Sequence, residues 1–347
     1  MIVLSLFDGI SCGRIALERA GIQVDAYYAS EVDKQAMEVS NGNYPDIIQI
    51  GDVRKISYDV EAGILHTEKG DFSVPGIDLL IGGSPCTDFS SIGRTRGMLS
   101  EENEEITTLD RYLELKEAGA QFQGQSFLFW EYVRILRETN PTHFLLENVV
   151  MSGSWLAIVN ENVGVLPVRI NSSLVSAQNR PRLYWTNLSY NGLPEDREIC
   201  LSDILDPNAD VKDVSHCFTI QKQMPKLVER YGYLPERFNA YNATKVEEIA
   251  PTLSRGSMVT SSCAVTLFVP VENGMHKVEN GLMDRTYPVY LTDGFYNLRR
   301  LSIREMERLQ TLPEDYVDRF EISKSKKGQL IGNGWTVEVI RHFFLGL

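Results

Sequence analysis

The stretch that decides the fold stands at residues 2–13 and reads IVLSLFDGISCG. Its first five residues form an apolar run that predicts a buried strand, and a turn containing Gly9 follows at once. Residues 13–20 then show the spacing of a helix. A strand, a glycine turn and a helix in this order are typical of a nucleotide-binding element. The full GxGxxG spacing is absent, which disfavours a dinucleotide and leaves adenosyl cofactors open.

The alternation of strand and helix continues through the first half of the chain and indicates an α/β protein. Further apolar runs predict strands at residues 24–29, 47–50, 77–81, 143–146, 168–175 and 183–186. Amphipathic spacing predicts helices at residues 34–41, 127–138, 302–310 and 336–344. This rhythm predicts a mostly parallel sheet with helices on both faces. From residue 187 to 298 turns and short strands, such as 264–269 and 288–291, indicate a second, smaller lobe.

A polar or reactive side chain follows each of the first five predicted strands. In chain order these side chains are Asp8, Glu31, Asp52, Cys86 and Glu147. Because ligands bind at the carboxyl ends of the strands in open parallel sheets, we expect all five at one rim. Glu31 suits hydrogen bonds to ribose hydroxyls, and Asp52 suits contact with an adenine amino group. Each of these two acids, taken alone, also fits a surface position.

Two further patterns indicate chemistry at this rim. Cys86 follows Pro85 at a strand exit and precedes a polar loop, which predicts a reactive thiol at the mouth of a cleft. Glu147 ends a buried strand, where a carboxyl group can act as an acid or hydrogen-bond donor, although a capping or salt-bridged glutamate is the alternative. Arg180 and Arg182 lie two residues apart on an extended segment, so alternation points both to one side, unless they line a solvated strand edge.

The charge of the chain bears on its partners. The 347 residues carry a formal net charge of −13. This acidity argues mildly against a nucleic-acid partner, because phosphate binding requires a basic face, but a basic cleft can sit on an acidic body. The acidic cluster at residues 101–105 is predicted to be the solvated start of a helix.

Cysteine usage and hydropathy bear on the compartment. The five cysteines are dispersed and form no CxxC pair, which predicts free thiols in a reducing compartment and no metal site. No apolar run approaches the roughly 18 residues of a membrane helix. The apolar N-terminus is short and lacks a basic leader, so we expect neither a signal peptide nor membrane association. The expected location is the cytoplasm.

Together these segments resemble the DNA cytosine-5 methyltransferase family, with some features of its de novo branch at residues 3–10 and 332–337. The motifs that carry the resemblance are Phe7–Gly13, Glu31, Asp52, Pro85-Cys86, Glu147-Asn148-Val149, Gln178-Asn179-Arg180-Pro181-Arg182, the segment 304–313 and the segment 332–337. The chain departs from the family pattern in Ser11, where a second glycine is common, and in Thr87, where Gln or Asn is common. The segment 94–123 is also longer than usual.

The resemblance implies a Rossmann-like S-adenosylmethionine-dependent methyltransferase fold with a smaller target-recognition lobe. It implies a catalytic and cofactor-binding domain at 1–186, a target-recognition domain at 187–298 and a C-terminal segment at 299–347 that returns to the catalytic domain. The implied reaction transfers a methyl group from S-adenosyl-L-methionine to C5 of a cytosine flipped out of double-stranded DNA, through a covalent bond between Cys86 and C6. The product of the cofactor is S-adenosyl-L-homocysteine. A monomeric bacterial or phage-encoded enzyme of DNA modification is expected.

The resemblance also assigns site residues, none of them to a metal. The catalytic set is Cys86, Glu147, Arg180 and Arg182. The cofactor-binding set is Phe7, Asp8, Gly9, Ile10, Glu31, Val32, Asp52, Val53, Pro85, Leu128, Asn333 and Trp335. The substrate-binding set is Ser90, Arg94, Arg96, Gln178 and Arg255, of which Arg255 either reads a base edge or holds a phosphate.

Three other functions stay open from the sequence. One is an RNA cytosine methyltransferase on the same fold, because Cys217-Phe218-Thr219 resembles a tripeptide of the tRNA-modifying branch, although the residues that follow do not match it. A second is a non-catalytic regulator that keeps the fold, which the acidic charge favours and the intact catalytic set disfavours. A third is a nucleotide-dependent oxidoreductase, which the absence of a dinucleotide fingerprint disfavours.

Overall fold

A computed structural model describes residues 1–85, 98–151, 153–253 and 265–347. The chain divides into two compact units. Unit 1 comprises Met1–Asn171, Pro181–Pro194 and Val337–Leu347, and unit 2 comprises Ser172–Arg180 and Glu195–Thr336. These units are defined by contacts, whereas the catalytic, target-recognition and C-terminal parts are functional assignments that stay predictions.

The described residues form short strands and helices along the whole chain. The strands are β1 Ile2–Leu6, β2 Ala26–Ser30, β3 Ile47–Gln49, β4 Ser57–Asp59, β5 Ile64–Thr67, β6 Gly70–Ser73, β7 Leu79–Gly82, β8 His143–Val149, β9 Val168–Asn171, β10 Gln178–Asn179, β11 Pro181–Thr186, β12 Arg237–Asn239, β13 Thr244–Lys245, β14 Ala250–Pro251, β15 Val265–Pro270, β16 His276–Glu279, β17 Leu282–Met283, β18 Tyr287–Pro288 and β19 Gly294–Arg300. The α-helices are α1 Cys12–Arg19, α2 Lys34–Asn43, α3 Leu109–Glu117, α4 Phe129–Thr139, α5 Gly153–Val163, α6 Leu201–Ile204, α7 Phe218–Tyr231, α8 Ile303–Leu309, α9 Lys324–Asn333 and α10 Val337–Phe344.

A sheet of seven described strands forms the centre of unit 1, in the order β3-β2-β1-β7-β8-β11-β9. Its first five strands in this order, β3, β2, β1, β7 and β8, run parallel, and β11 is antiparallel to both β8 and β9. Leu6 of β1 lies between Ser30 of β2 and Gly82 of β7, and Gly82 lies beside Leu146 of β8. The carboxyl ends of four parallel strands therefore meet at one edge, and the predicted mostly parallel α/β sheet is confirmed.

Helices cover the central sheet, which explains why its strands are apolar without alternation. Val3, Leu4 and Leu6 of β1 are all buried. The end of β7 approaches its neighbours so closely that a Cβ atom on Gly82 would lie 3.0 Å from the ring of Tyr132 on α4 and 3.1 Å from the carbonyl oxygen of Leu6. Glycine at this position therefore lets β7 reach the edge where the site residues emerge.

The strands β4, β5 and β6 form a small antiparallel sheet that the sequence does not predict. It docks on the core through Leu65, which is fully buried, and through the hydroxyl of Tyr58, which donates to the carbonyl of Val74 at 2.8 Å. Its strands are three or four residues long, and β4 and β6 are mostly exposed, so their sequence carries too little apolar alternation to be recognised.

The acidic cluster at residues 101–105 is exposed in part but is not the start of a helix, so that prediction is wrong. Leu99 pairs with Glu105 in antiparallel fashion, and the backbone N–H of Asn103 donates to the carbonyl of Ser100 at 3.0 Å, so the segment forms a turn. α3 begins only after Thr108, whose side chain accepts a hydrogen bond from the backbone N–H of Arg111. A helix N-terminus needs such a cap, and Thr108 provides it.

Several other predicted elements differ in their bounds, and the strand predicted at 288–291 is reduced to β18, which ends at Pro288. The strand predicted at 168–175 ends at Asn171, and a 3-10 turn at Ser172–Leu174 follows it. The extended segment predicted to carry both arginines is divided at Arg180, because β10 ends at Asn179 and β11 begins at Pro181.

Unit 2 contains a second sheet, antiparallel throughout its described strands, in the order β13-β12-β15-β19-β16-β17-β18. α7 packs on this sheet through Ile220, Met224 and Leu227, which join Phe238 and Leu298 in one buried cluster. The smaller second lobe that the sequence predicts is therefore a sheet with one long helix against it. Nowhere in the described ranges is a helix long and apolar enough to cross a membrane.

Gly82→Ala is expected to destabilise the fold by about 1–3 kcal/mol, because the added methyl group overlaps the Tyr132 ring and the Leu6 carbonyl. Chemical denaturation measures the change. Gly76→Ala is the matched control, because a Cβ atom there meets nothing within 4 Å. Equal stability of the two variants would contradict the close approach of β7.

Candidate active site

The turn after β1 is joined to the ends of β2 and β3. The backbone N–H of Asp8 donates to the carbonyl of Ser30 at 3.1 Å, and the Ser30 hydroxyl donates to the carbonyl of Gly51 at 2.8 Å. Phe7, Gly9 and Ser11 all have positive φ angles, of 56°, 60° and 60°. L-residues adopt this region rarely, so the turn keeps its shape only because the surrounding contacts hold it.

Glu31 closes over the glycine turn. One carboxylate oxygen accepts a hydrogen bond from the backbone N–H of Gly9 at 2.8 Å, and the other accepts from the N–H groups of Val32 and Asp33, both at 2.8 Å. Three backbone donors stabilise the anionic carboxylate and fix its direction. The structure therefore brings together Gly9 and Glu31, as the sequence predicts for the strand ends.

Asp52 follows the end of β3 and makes hydrogen bonds to a neighbour in sequence, Arg54, and to a residue of a different turn, Glu68. Burial alone would raise the pKa of Asp52, but hydrogen bonds from the Arg54 side chain and backbone hold it below its ordinary value. The backbone N–H of Asp52 donates to the carboxylate of Glu68 at 3.1 Å, and Glu68 pairs with Lys55 at 2.9 Å. Sequence reasoning missed Glu68, because it lies in the turn between β5 and β6, which the sequence does not predict.

Asp8 is a partly buried acid of this rim whose partners are hydroxyl groups. Its carboxylate accepts hydrogen bonds from the hydroxyls of Ser5 at 2.6 Å, Tyr27 at 2.8 Å and Ser11. Burial raises the pKa of Asp8 to about 6; Glu31 adds to the rise, and the three hydroxyl donors limit it. The carboxylate thus ties the turn to β1, to β2 and to the start of α1.

These residues fit an adenosyl group with a positive charge. Phe7 is only partly buried at the edge of the core and offers an aromatic face, while Glu31 and Asp52 offer carboxylate oxygens for hydroxyl and amino groups. Arg54 and Lys55 offset the charges of Asp52 and Glu68, and the carboxylates of Asp8 and Glu31, which have no ion pair in the described chain, favour a sulfonium over a phosphate. The chemistry of this set therefore suits S-adenosylmethionine better than a dinucleotide.

The other residues predicted to bind the cofactor occupy different settings. Ile10 and Val53 are buried, whereas Val32 is 66% exposed. Leu128 packs against the core at its edge. In unit 2, Asn333 is the last residue of α9, and Trp335 lies two residues beyond it. Their proposed contact with a cofactor stays a prediction.

Glu147 and Arg182 form an ion pair between β8 and β11. The Arg182 Nε atom lies 2.9 Å from a carboxylate oxygen of Glu147, and both side chains are largely buried. Glu147 pairs with Tyr184 in the register of β8 and β11, and Val149 pairs with Arg182. Because alternate residues share a face, Arg182 stands diagonally across from Glu147 on that face.

Asn148 connects this pair to the strand that precedes Cys86. The side-chain NH2 group of Asn148 donates to the hydroxyl of Ser84 at 3.1 Å, and the side-chain oxygen Oδ1 accepts from the backbone N–H of Val149 at 2.8 Å. Ser84 is buried, and Pro85 follows it as the last described residue before the gap. Cys86, Ser90, Arg94 and Arg96 lie outside the described residues, as does Arg255.

Arg180 and Gln178 are buried within unit 2. The Arg180 guanidinium donates to the carbonyls of Leu253 at 2.7 Å, Gly334 at 2.9 Å and Gly332 at 3.2 Å. The Gln178 side chain donates to the carbonyl of Leu309 at 3.0 Å and accepts from the N–H of Leu253 at 2.8 Å. These contacts hold backbone segments together, and the roles predicted for the two residues in catalysis and substrate binding stay predictions.

The family model for C-5 cytosine-specific DNA methylases matches residues 1–152 and 176–345. The chain belongs to this family. Among curated C-5 methylases and related proteins, the chain is 29% identical over 195 residues to the orphan methyltransferase M.Rho11sI of Bacillus phage rho11s, a match that covers 52% of this chain and 32% of the relative. It is 26% identical over 258 residues to the type II methyltransferase M.NgoBV of Neisseria gonorrhoeae, covering 66% of this chain and 52% of the relative.

The match thus spans about a third to a half of the length of these curated relatives. Among solved structures, the chain resembles the Entamoeba histolytica methyltransferase EhMeth, with a TM-score of 0.62 and 13% identity, over 99% of this chain and 97% of the other. This likeness concerns the fold, and it confirms the predicted methyltransferase architecture.

Asp8→Asn is expected to remove a pH dependence of stability from this C-5 methylase. The pKa of Asp8 rises on folding from 3.8 to about 6, so between these values the folded state binds the extra proton. The wild-type free energy of unfolding, relative to Asp8→Asn, should therefore fall by about 3 kcal/mol as pH rises from below 4 to above 6. Urea denaturation of both proteins across this range measures it, and parallel curves would contradict the buried position of the carboxylate.

Proposed function

We propose that the protein is a DNA (cytosine-5)-methyltransferase that transfers the methyl group of S-adenosyl-L-methionine to a cytosine in duplex DNA. The observation that supports this most is the Glu147–Arg182 ion pair. Asn148, the residue after Glu147, donates to the hydroxyl of Ser84, next to Pro85, at the same edge of the sheet as the acidic turn around Gly9. A site for a flat, polar base and a site suited to a cationic adenosyl group thus share one edge of the sheet.

The chemistry requires activation of the base, because C5 of cytosine is a poor nucleophile. We assign the attack to Cys86: its sulfur forms a bond to C6, and the C5–C6 electron pair moves so that C5 becomes nucleophilic. An ordinary thiol, with a pKa of about 8.5, is only a few per cent ionised near neutral pH. Attack is therefore assisted by stabilising the charge that develops on the ring.

Glu147 and Arg182 provide this stabilisation. The Glu147 carboxyl group hydrogen bonds to N3 and the exocyclic amino group of the cytosine, and the Arg182 guanidinium donates to the base carbonyl. Because each of these side chains also holds the other, both are oriented before the base enters. Such preorganisation is what makes polar groups effective at a transition state.

Phe7, Glu31 and Asp52 hold the cofactor in this proposal, through its adenine ring, its ribose hydroxyls and its adenine amino group. When bound, S-adenosyl-L-methionine supplies an electrophilic methyl group on a sulfonium. After C5 is methylated, a base removes the C5 proton, the bond between sulfur and C6 breaks, and the Cys86 thiolate leaves. The ring regains its aromaticity and the enzyme is restored.

The target cytosine must leave the duplex, since neither C6 nor N3 is accessible within a base pair. Flipping one nucleotide costs a few kcal/mol. We assign the loop that follows Cys86 to closing over the flipped base, with Arg94 and Arg96 at phosphates. The biological role that we propose is DNA modification in the cytoplasm of a bacterium, by a chromosomal or phage-encoded enzyme.

The first test measures methyl transfer from labelled S-adenosyl-L-methionine to mixed-sequence duplex DNA and to bulk tRNA. Duplex DNA is expected to acquire 5-methylcytosine, and Cys86→Ala is expected to abolish the label while it still binds the cofactor. Label in tRNA alone would replace DNA by RNA as the substrate. Label in DNA that survives in Cys86→Ala would overturn the assignment of the nucleophile.

A second test concerns the ion pair. Glu147→Gln is expected to lower kcat on DNA by at least about 100-fold, because an amide cannot pass a proton to N3 as negative charge develops there. Arg182→Lys is expected to cause a comparable loss, since lysine lacks the planar fork of donors. The dissociation constant for the cofactor should stay unchanged in both variants.

The matched control for this ion pair is Arg169→Lys, an exposed arginine on the neighbouring strand β9. It is expected to keep the wild-type kcat. A loss in Arg169→Lys as large as in Arg182→Lys would show that the effect is general to this sheet edge, and it would remove Arg182 from the mechanism.

A further inference from the structure

Three cations form a stripe along α7, at Lys222, Lys226 and Arg230. Their spacing of four residues places them on one face of the helix, about 6 Å apart along its axis. The opposite face carries Ile220, Met224 and Leu227, which are buried in the core of unit 2. The stripe, which we call the α7 stripe, therefore faces solvent, and all three of its side chains are exposed.

The two lysines of the α7 stripe are not used by the fold. Among the residues that the structure describes, neither Lys222 nor Lys226 has an ion pair or a side-chain hydrogen bond. Glu229 shares the exposed face without pairing to either of them within the described chain. Arg230 differs, because its guanidinium donates to the carbonyl of Ala243 at 2.9 Å and so anchors a loop.

The α7 stripe is also unfavourable for the isolated helix. Lys222 with Lys226, and Lys226 with Arg230, are like-charged pairs at the spacing where side chains face each other, and such pairs destabilise a helix. Lys222 and Lys226 therefore offer positive charge to an anion from outside the chain.

The charge of the chain is divided unequally between the units. Unit 1 has 15 Lys and Arg against 26 Asp and Glu, a net charge of −11, whereas unit 2 has 19 against 21, a net charge of −2. The α7 stripe thus belongs to the unit on which a polyanion meets far less repulsion.

We propose that the α7 stripe binds the phosphate backbone of duplex DNA, through Lys222 and Lys226. This inference rests on the proposed function, and it names the surface of unit 2 that meets the substrate. DNA carries a phosphate every 3.4 Å or so along each strand, so flexible lysines on successive helical turns reach phosphates of one strand. Contacts of this kind add affinity without reading the sequence.

The experiment compares DNA binding by the wild type and Lys222→Gln/Lys226→Gln over a series of salt concentrations, using fluorescence anisotropy of a labelled duplex. Each lysine that neutralises a phosphate contributes about 0.9 to the slope of log K against log salt. The double variant is expected to lower the magnitude of the slope by about 2, and to weaken binding roughly 10- to 100-fold near 0.1 M salt. A mere structural role would not change the slope.

The matched control is Lys69→Gln/Lys324→Gln, which removes the same charge from two other exposed lysines. It is expected to keep the wild-type slope.

In Lys222→Gln/Lys226→Gln, KM for DNA should rise while kcat at saturating DNA and cofactor affinity stay unchanged. The melting temperature should be equal to or above that of the wild type, because two repulsive pairs are removed.

The outcomes separate this inference from the proposed function. If the wild type methylates duplex DNA but both double variants show the wild-type slope, the α7 stripe does not bind phosphates and the function stands. If the two double variants lose slope equally, only net charge matters and the inference is overturned. If the wild type methylates tRNA and not duplex DNA, both the inference and the proposed function are overturned.

Discussion

The parallel pairing of β1 with β2 on one side and β7 on the other is the interaction on which the rest of the structure depends. The register places Leu6 beside Ser30 and Gly82, so each of these strands ends at the same level. The segments that follow must therefore emerge next to one another, as the hydrogen bond from Asp8 to Ser30 shows. A slip of one residue in β1 would reverse its faces and would move Phe7 away from Glu31.

A second consequence of this register is the concentration of acids at one edge. Four carboxylates stand around the turn, and their stabilising partners are backbone N–H groups, basic side chains or hydroxyl groups. Glu31 uses backbone N–H groups, Asp52 uses Arg54, and Glu68 uses Lys55. Asp8 has hydroxyl donors instead of a cation, and its pKa rises to about 6. The two carboxylates that lack an ion pair in the described chain, those of Glu31 and Asp8, favour a sulfonium over a phosphate at this edge.

The sequence predicts the parts of the site that depend on strand ends. An apolar run followed by Asp8-Gly9, or by Glu147, marks both a strand and the place where it stops, so the rim follows from pattern alone. The pairing of Arg182 with Glu147 requires more, because it depends on which strand lies antiparallel to β8. Glu68 reaches Asp52 only through a hairpin whose short, exposed strands leave no recognisable periodicity.

The same limit explains why Arg180 and Arg182 differ although they stand two residues apart. Alternation along a strand assigns both to one side, but the strand is divided between them. Arg182 lies on β11 and pairs with the carboxylate of Glu147. Arg180 lies at the break between β10 and β11, and its guanidinium donates to the carbonyls of three residues elsewhere in unit 2. A local pattern predicts a side only where the backbone remains regular, and a one-residue break is invisible to it.

The acidic net charge of the chain is compatible with a DNA substrate for a related reason. Net charge is a sum over surfaces that serve different ligands, and most of the excess acid lies in unit 1, part of it on the rim that suits a cation. The carboxylates of that rim favour a cation at short range, and their effect on a distant phosphate is screened beyond about 10 Å at ordinary ionic strength. A nearly neutral unit 2 with an unpaired row of lysines can therefore attract DNA while the chain as a whole stays acidic. Local charge on each surface, and not the total, decides which partner that surface accepts.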